Sequence, residues 1–223
     1  MTDPQAAADA PPAGLARRLR DTTHTRHRAA ESAPFMAALL RGEIDRAAYA
    51  DYLSNLHAIY DALESALAAH RSEPAFAPFD FPALRRAPVL GADLHALGFA
   101  PAALRPATQR YVERLQRAAQ AQPWRLLGHA YVRYLGDLHG GQLMRRIVAG
   151  ALQLDAQATT FYDFGDEARV RELIAQFRAA LDALPLDPAQ RDDLVDEACW
   201  AFDQHRLLFD ELAYALPKPR MRP

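Results

Sequence analysis

The sequence predicts an all-α fold, a single-domain helical bundle, and three observations predict it. Apolar residues return at three- to four-residue steps in segment after segment, the spacing of a helix face. No segment alternates apolar and polar residues between hairpin turns, as half-exposed strands do. Prolines gather in one connector or stand where a helix would start. The chain has 223 residues, 50% of them hydrophobic, which is enough for one sizeable core. No internal repeat divides it.

Leu15, Leu19, Thr23, His27 and Ala30 share one face of a first helix, which Pro34 ends or follows with a second. Asp45 is placed to cap a long amphipathic helix reaching His70, with Tyr49, Tyr52, Leu53, Leu56, Tyr60, Leu63 and Leu67 along its apolar stripe. Pro74, Pro78, Pro82, Pro88, Pro101 and Pro106 leave room only for short helices over 73–106, a connector packed on the bundle. A helix follows from Thr108 to about Gln120, and another opens at Pro123 and runs toward Gly150. The last two, over 166–184 and 187–215, are parted at Pro185. Asp187 caps the second of them, with Pro188 in its first turn. The Ala/Pro-rich residues 1–14 read as a disordered N-terminal tail, 15–216 as the domain and 217–223 as a C-terminal tail.

Composition narrows the function. Lys and Arg number 26 against 28 Asp and Glu, a net charge of -2 that gives no reason to expect a nucleic-acid partner. The single Cys199 excludes an intramolecular disulfide and any CxxC site, and it fits a reducing cytoplasm. The N-terminal residues lack the basic start and apolar stretch of a signal peptide. No apolar run reaches the length of a membrane anchor.

The segment from Tyr131 to Gln142 breaks the helical rule, because Gly136, Gly140 and Gly141 lie inside it. Each interior glycine costs about 1 kcal/mol against alanine, so the backbone here must bend or be closely approached. Gly136 and Gly140 stack on one face as a bare strip wide enough for a planar ligand, and Arg133 can pair with Asp137 beside it. A helix–helix contact through small residues, with a surface ion pair, explains the same pattern. His24 and His27 lie three apart, roughly 60° around their helix, and spacing does not choose between them as metal ligands. A di-iron carboxylate site needs Glu-x-x-His motifs, which are absent, and no P-loop or GxGxxG is present.

At these residues the chain resembles the biliverdin-forming haem oxygenase family. RYLGDLHGGQ at 133–142 is similar to the family signature RYLGDLSGGQ, and HRAAESAPFM at 27–36 resembles its proximal-histidine segment. FAPFDFP at 76–82 and QRYVERL at 109–115 extend the similarity, which spans about residues 15–215. The resemblance implies oxidative opening of haem, both cofactor and substrate, to biliverdin, carbon monoxide and ferrous iron. Dioxygen is the co-substrate, and the electron donor is a ferredoxin or an NAD(P)H-dependent flavin reductase.

It further implies that His27 is the axial ligand to the haem iron, with Glu31 orienting its ring and His24 near the haem edge. Gly136 and Gly140 become the distal backbone, and Asp137 anchors a water network with Tyr60 and Arg133. Arg20, Tyr131 and Arg178 hold the propionates, while Phe202 and Phe209 line the pocket. Three places depart from the family. His139 replaces the signature serine, Ile174 replaces a propionate lysine, and Gln204 and His205 stand where relatives often place an asparagine. Arg17, Arg18, Arg20, Arg26 and Arg28 would suit docking of an acidic electron donor. The rival readings are a haem carrier or buffer without turnover, and a different enzyme on the same fold, such as a thiamin-pyrimidine hydrolase.

Overall fold

The computed structural model describes residues 14–216, and every regular element among them is helical. The two predicted tails lie outside the described residues, except for Gly14, which precedes the first helix. Helix α1 runs Leu15–Glu31, α2 Pro34–Leu40 and α3 Arg46–Ala69. The Asp45 carboxylate caps α3 by accepting from the Ala48 N–H at 2.8 Å, as its position predicts. The proline-rich connector holds only short helical turns and the eleven-residue α4, Ala87–Leu97, which stops at Gly98 with φ of 73°.

Helix α5, Pro106–Ala121, starts two residues before the predicted Thr108, because Pro106 itself takes the first turn. The predicted helix from Pro123 is one continuous rod in four pieces: a 3₁₀ turn at Pro123–Arg125, α6 at Leu126–Ala130, a π turn at Tyr131–Leu135 and α7 at Gly136–Leu152. Helices α8, Glu167–Asp182, and α9, Pro188–Ala215, complete the chain. A full capping box opens α9, in which Asp187 and Gln190 satisfy each other's backbone N–H.

The 28-residue α9 is the spine of the bundle and packs against α1, α2, α5 and α6, while α3 packs against α4 and α5. Leu19, Leu53, Leu56, Leu63, Phe35 and Phe177 are fully enclosed between these layers. Cys199 is buried in α9 as a core thiol, and burial pushes its pKa up. Among the described residues no helix is long and apolar enough to cross a membrane.

Candidate active site

One wall of a cleft comes from the end of α1 and the facing wall from the π turn and α7. Its volume is about 430 Å³, within the range of small-molecule sites, and a second chamber of about 230 Å³ adjoins it. His27, Val132, Gly136 and Phe202 line both chambers, so the two form one elongated slot. A separate cavity beside Glu64 and Phe81, about 30 Å³, has room for little more than a water.

The glycine strip divides into two jobs. An added Cβ on Gly136 or Gly140 would meet nothing within 4 Å, so both expose bare backbone to the slot. An added Cβ on Gly141 would stand 3.0 Å from the Tyr162 carbonyl oxygen, so this residue lets a neighbouring segment approach. The helix–helix contact through a small residue exists, but at Gly128, where a Cβ would fall 2.6 Å from the Leu194 carbonyl of α9. The π turn immediately before Gly136 was not legible from spacing. Such turns add a residue to one helical turn and are frequent at functional sites.

Arg133 and Asp137 pair as predicted, yet the pair is buried rather than a surface bridge. The Arg133 Nη2 donates to Asp137 Oδ1 at 2.8 Å and to Oδ2 at 3.0 Å. The Tyr60 hydroxyl, fully buried on α3, donates to the same carboxylate, and the guanidinium lies 5.1 Å from the Tyr60 ring centre. Burial pushes the Asp137 carboxyl upward from its ordinary range, while Arg133 and Tyr60 pull against it. Arg133 Nη1 reaches His205 Nε2 at 3.4 Å. Two buried nitrogens of this cluster, Arg133 Nε and His205 Nδ1, find no protein partner.

Across the slot His27 is 43% exposed at its side chain and packs edge-on to Phe202, with ring centres 5.5 Å apart. Glu31 stands one turn later with Oε2 3.6 Å from His27 Nδ1, an ion-pair distance too long for a hydrogen bond. Phe209 lines the slot beside His205, their rings 6.2 Å apart. Arg20, His24, Tyr131, Arg178 and His139 all surround the second chamber at its mouth. Among the described residues no three His, Cys, Asp or Glu side chains gather as a metal site, so the His24–His27 pair has no third protein ligand.

The departures take defined places. His139 Nδ1 donates to the Leu135 carbonyl at 2.5 Å, leaving Nε2 to accept from Arg178 at 3.4 Å, so it joins the mouth. Ile174 packs against the core and does not line the slot. The arginine patch is largely neutralised: Arg17 and Arg20 meet Asp21, Arg18 meets Asp192, and Arg26 meets Asp203. Sequence reasoning read Tyr52 of the slot wall as part of an apolar helix stripe and did not single out Met36, Met144 or Tyr162, which also line it.

Fold and slot together define a class: an all-helical protein with an elongated cleft, largely apolar along its walls and basic at its mouth. The part-exposed His27 imidazole on one wall, a bare-backbone strip opposite, unpartnered buried nitrogens and a basic mouth fit haem. Comparison with known proteins makes the class specific. Residues 13–211 match the Heme oxygenase family. The Heme oxygenase of Pyropia yezoensis is 38% identical over 206 residues, covering 89% of this chain and 85% of that protein. Human Heme oxygenase 1 is 35% identical over 212 residues, covering 92% and 73%. Among solved structures, heme oxygenase-2 from Synechocystis in complex with heme and NO superposes with a TM-score of 0.85 at 35% identity, covering 89% of this chain and 85% of that one. Heme oxygenase-1 from the same cyanobacterium in complex with heme gives 0.84 at 33%, covering 89% and 92%. The chain belongs to the haem oxygenase family, enzymes that open haem to biliverdin.

Proposed function

We propose that residues 15–216 form the catalytic domain and that haem would be held in the slot with its iron bound by His27. Bound haem supplies both the iron at which dioxygen reacts and the ring that is opened to biliverdin, carbon monoxide and ferrous iron. Gly136 and Gly140 keep the facing wall free of side chains, so the ring and a small iron ligand fit against backbone. Asp137, fixed by Arg133 and Tyr60, would order a proton-donating water in the slot and so supply acid catalysis. Arg20, Tyr131 and Arg178 meet the propionates at the mouth, joined by His24 and by His139 in place of a serine. Phe202 and Phe209 pack the ring edges, and Glu31 biases the His27 ring from outside.

The observation that carries this reading is the pair of glycines open to a slot whose other wall bears His27. The required electrons come from a separate donor, a ferredoxin or an NAD(P)H-dependent flavin reductase. The exposed Arg28 of α1 and Arg178 at the mouth are the charges such an acidic partner would meet, since Arg17, Arg18, Arg20 and Arg26 already face carboxylates. A cytoplasmic setting agrees with the lone buried thiol. Hemin, a reductant and air provide the test. Biliverdin absorbance should replace the Soret band, and a Soret band that persists without biliverdin would leave a carrier. His27→Ala should abolish the axial-ligand spectrum; an unchanged spectrum would move the ligand to His24 or His139.

A further inference from the structure

His205 sits in the middle of α9, buried to 2% exposure, and lines the slot together with Asp137 and Gly136. Its Nε2 faces Arg133 Nη1 at 3.4 Å. A guanidinium carries only donors, so Nε2 must accept, and the ring hydrogen of a neutral His205 is placed on Nδ1. Burial, the Arg133 charge and His129 all hold the imidazole far below its ordinary value, which keeps it neutral. The groups facing it from other elements are Arg133 and the Tyr111 ring, whose centre is 5.1 Å away. The Tyr111 hydroxyl is engaged elsewhere, 3.0 Å from His129 Nδ1. The Nδ1–H of His205 therefore has no protein acceptor, although it is buried beside a cavity. A buried donor left unmade is costly, and the slot that His205 lines can supply the acceptor.

We propose that His205 is a hydrogen-bond donor to the small polar ligand in the slot, with its tautomer fixed by Arg133. One guanidinium thus sets both polar groups of the open wall, Nη2 orienting the Asp137 carboxylate and Nη1 the His205 ring. The ligand class is a small hydrogen-bond acceptor held beside the iron, an anion, a water or a diatomic. The proposal rests on the haem reading of the slot, and its two measurements fail separately from that reading.

The first measurement needs no haem. Long-range proton–nitrogen NMR of the haem-free protein should show one histidine, lost in His205→Asn, that stays neutral with its hydrogen on Nδ1 from pH 5 to 8. A hydrogen on Nε2, or protonation of that histidine between pH 8 and 5, overturns the proposal. The second uses fluoride, a strong acceptor, as the probe ligand of the hemin complex. His205→Leu should weaken fluoride binding about three- to tenfold, the worth of one hydrogen bond. His205→Asn, which keeps an N–H, should restore it to within about twofold, and the NMR result holds whether or not the leucine variant folds well. Equal fluoride affinity in His205→Leu and the parent overturns the donor role. Failure of the parent to bind hemin would instead sink the haem reading and leave the tautomer measurement intact.

Discussion

Two buried clusters in this molecule are each built from a carboxylate, arginine, tyrosine and histidine, and they do different things. In one, the Glu197 carboxylate of α9 is fully enclosed and accepts from Arg114 Nε and Nη2 at 2.7 Å, Arg125 Nη1 at 3.0 Å and His129 Nε2 at 2.9 Å. His129 then accepts from the Tyr111 hydroxyl through its other nitrogen, so both ring nitrogens are used in its neutral form. In the other, the Asp137 carboxylate is held by Arg133 and Tyr60, with His205 behind them. The first cluster lies away from the slot, and in it Arg125 Nε alone is left without a partner. The second lines the slot and leaves Nδ1 of His205 and Nε of Arg133 unmade. A buried polar cluster is thus not a site because it is polar; what marks the site is that Arg133, Asp137 and His205 line a cavity and the Glu197 cluster does not.

The contrast is sharpest under substitution. Glu197→Gln removes the charge that Arg114 and Arg125 share, and breaking a buried cluster from one side costs about 3–5 kcal/mol. The lower end applies, because Arg114 keeps 35% of its side chain in water. Urea unfolding should record that loss while the folded variant still turns hemin over. Asp137→Ala should do the reverse, lowering biliverdin formation about a hundredfold with hemin binding retained. Normal biliverdin yield from that variant would break the distinction between the clusters.

Acid should separate them next. Against the burial that would raise it, Arg114, His129 and Arg125 hold Glu197 well below its ordinary value of 4.5. A depressed carboxyl stabilises the fold fully above that ordinary value, and the contribution drains as the pH falls below it. The urea midpoint of the parent should therefore fall between pH 5 and 3, and that of Glu197→Gln should fall less. Parallel curves would remove Glu197 from the account of acid stability.

Much of this was legible in the sequence, for physical reasons that differ by residue. Helix periodicity, Asp45 and Asp187 are local signals, and the structure keeps each of them. The three glycines announced an anomaly, because their helical cost is paid by position and needs no partner to be seen. Assigning them was another matter: Gly128, which carries the tight helix contact, looked unremarkable, since only the Leu194 carbonyl of a distant segment gives it its role. Glu197 was hidden for the same reason, and His205 was marked only as a departure from the family, with no partner given. Their partners lie 68 and 72 residues or more away along the chain, and no spacing rule reaches that far.

The smallest expected effect returns to those glycines and tests the open-against-sealed distinction on backbone alone. Gly140→Ala adds a methyl that meets nothing within 4 Å, in a residue already helical, so the fold should gain up to about 1 kcal/mol. Hemin affinity should fall, because that methyl stands in the slot. Gly128→Ala gains the same propensity but drives its Cβ to 2.6 Å from a backbone carbonyl that cannot swing aside, and overpacking of about 1–3 kcal/mol outweighs it. Thermal unfolding of the haem-free variants should thus move in opposite directions from one chemical change. If both rise, α9 yields at Leu194 and the contact is looser than its geometry; if both fall, the wall at Gly140 is not open before haem arrives.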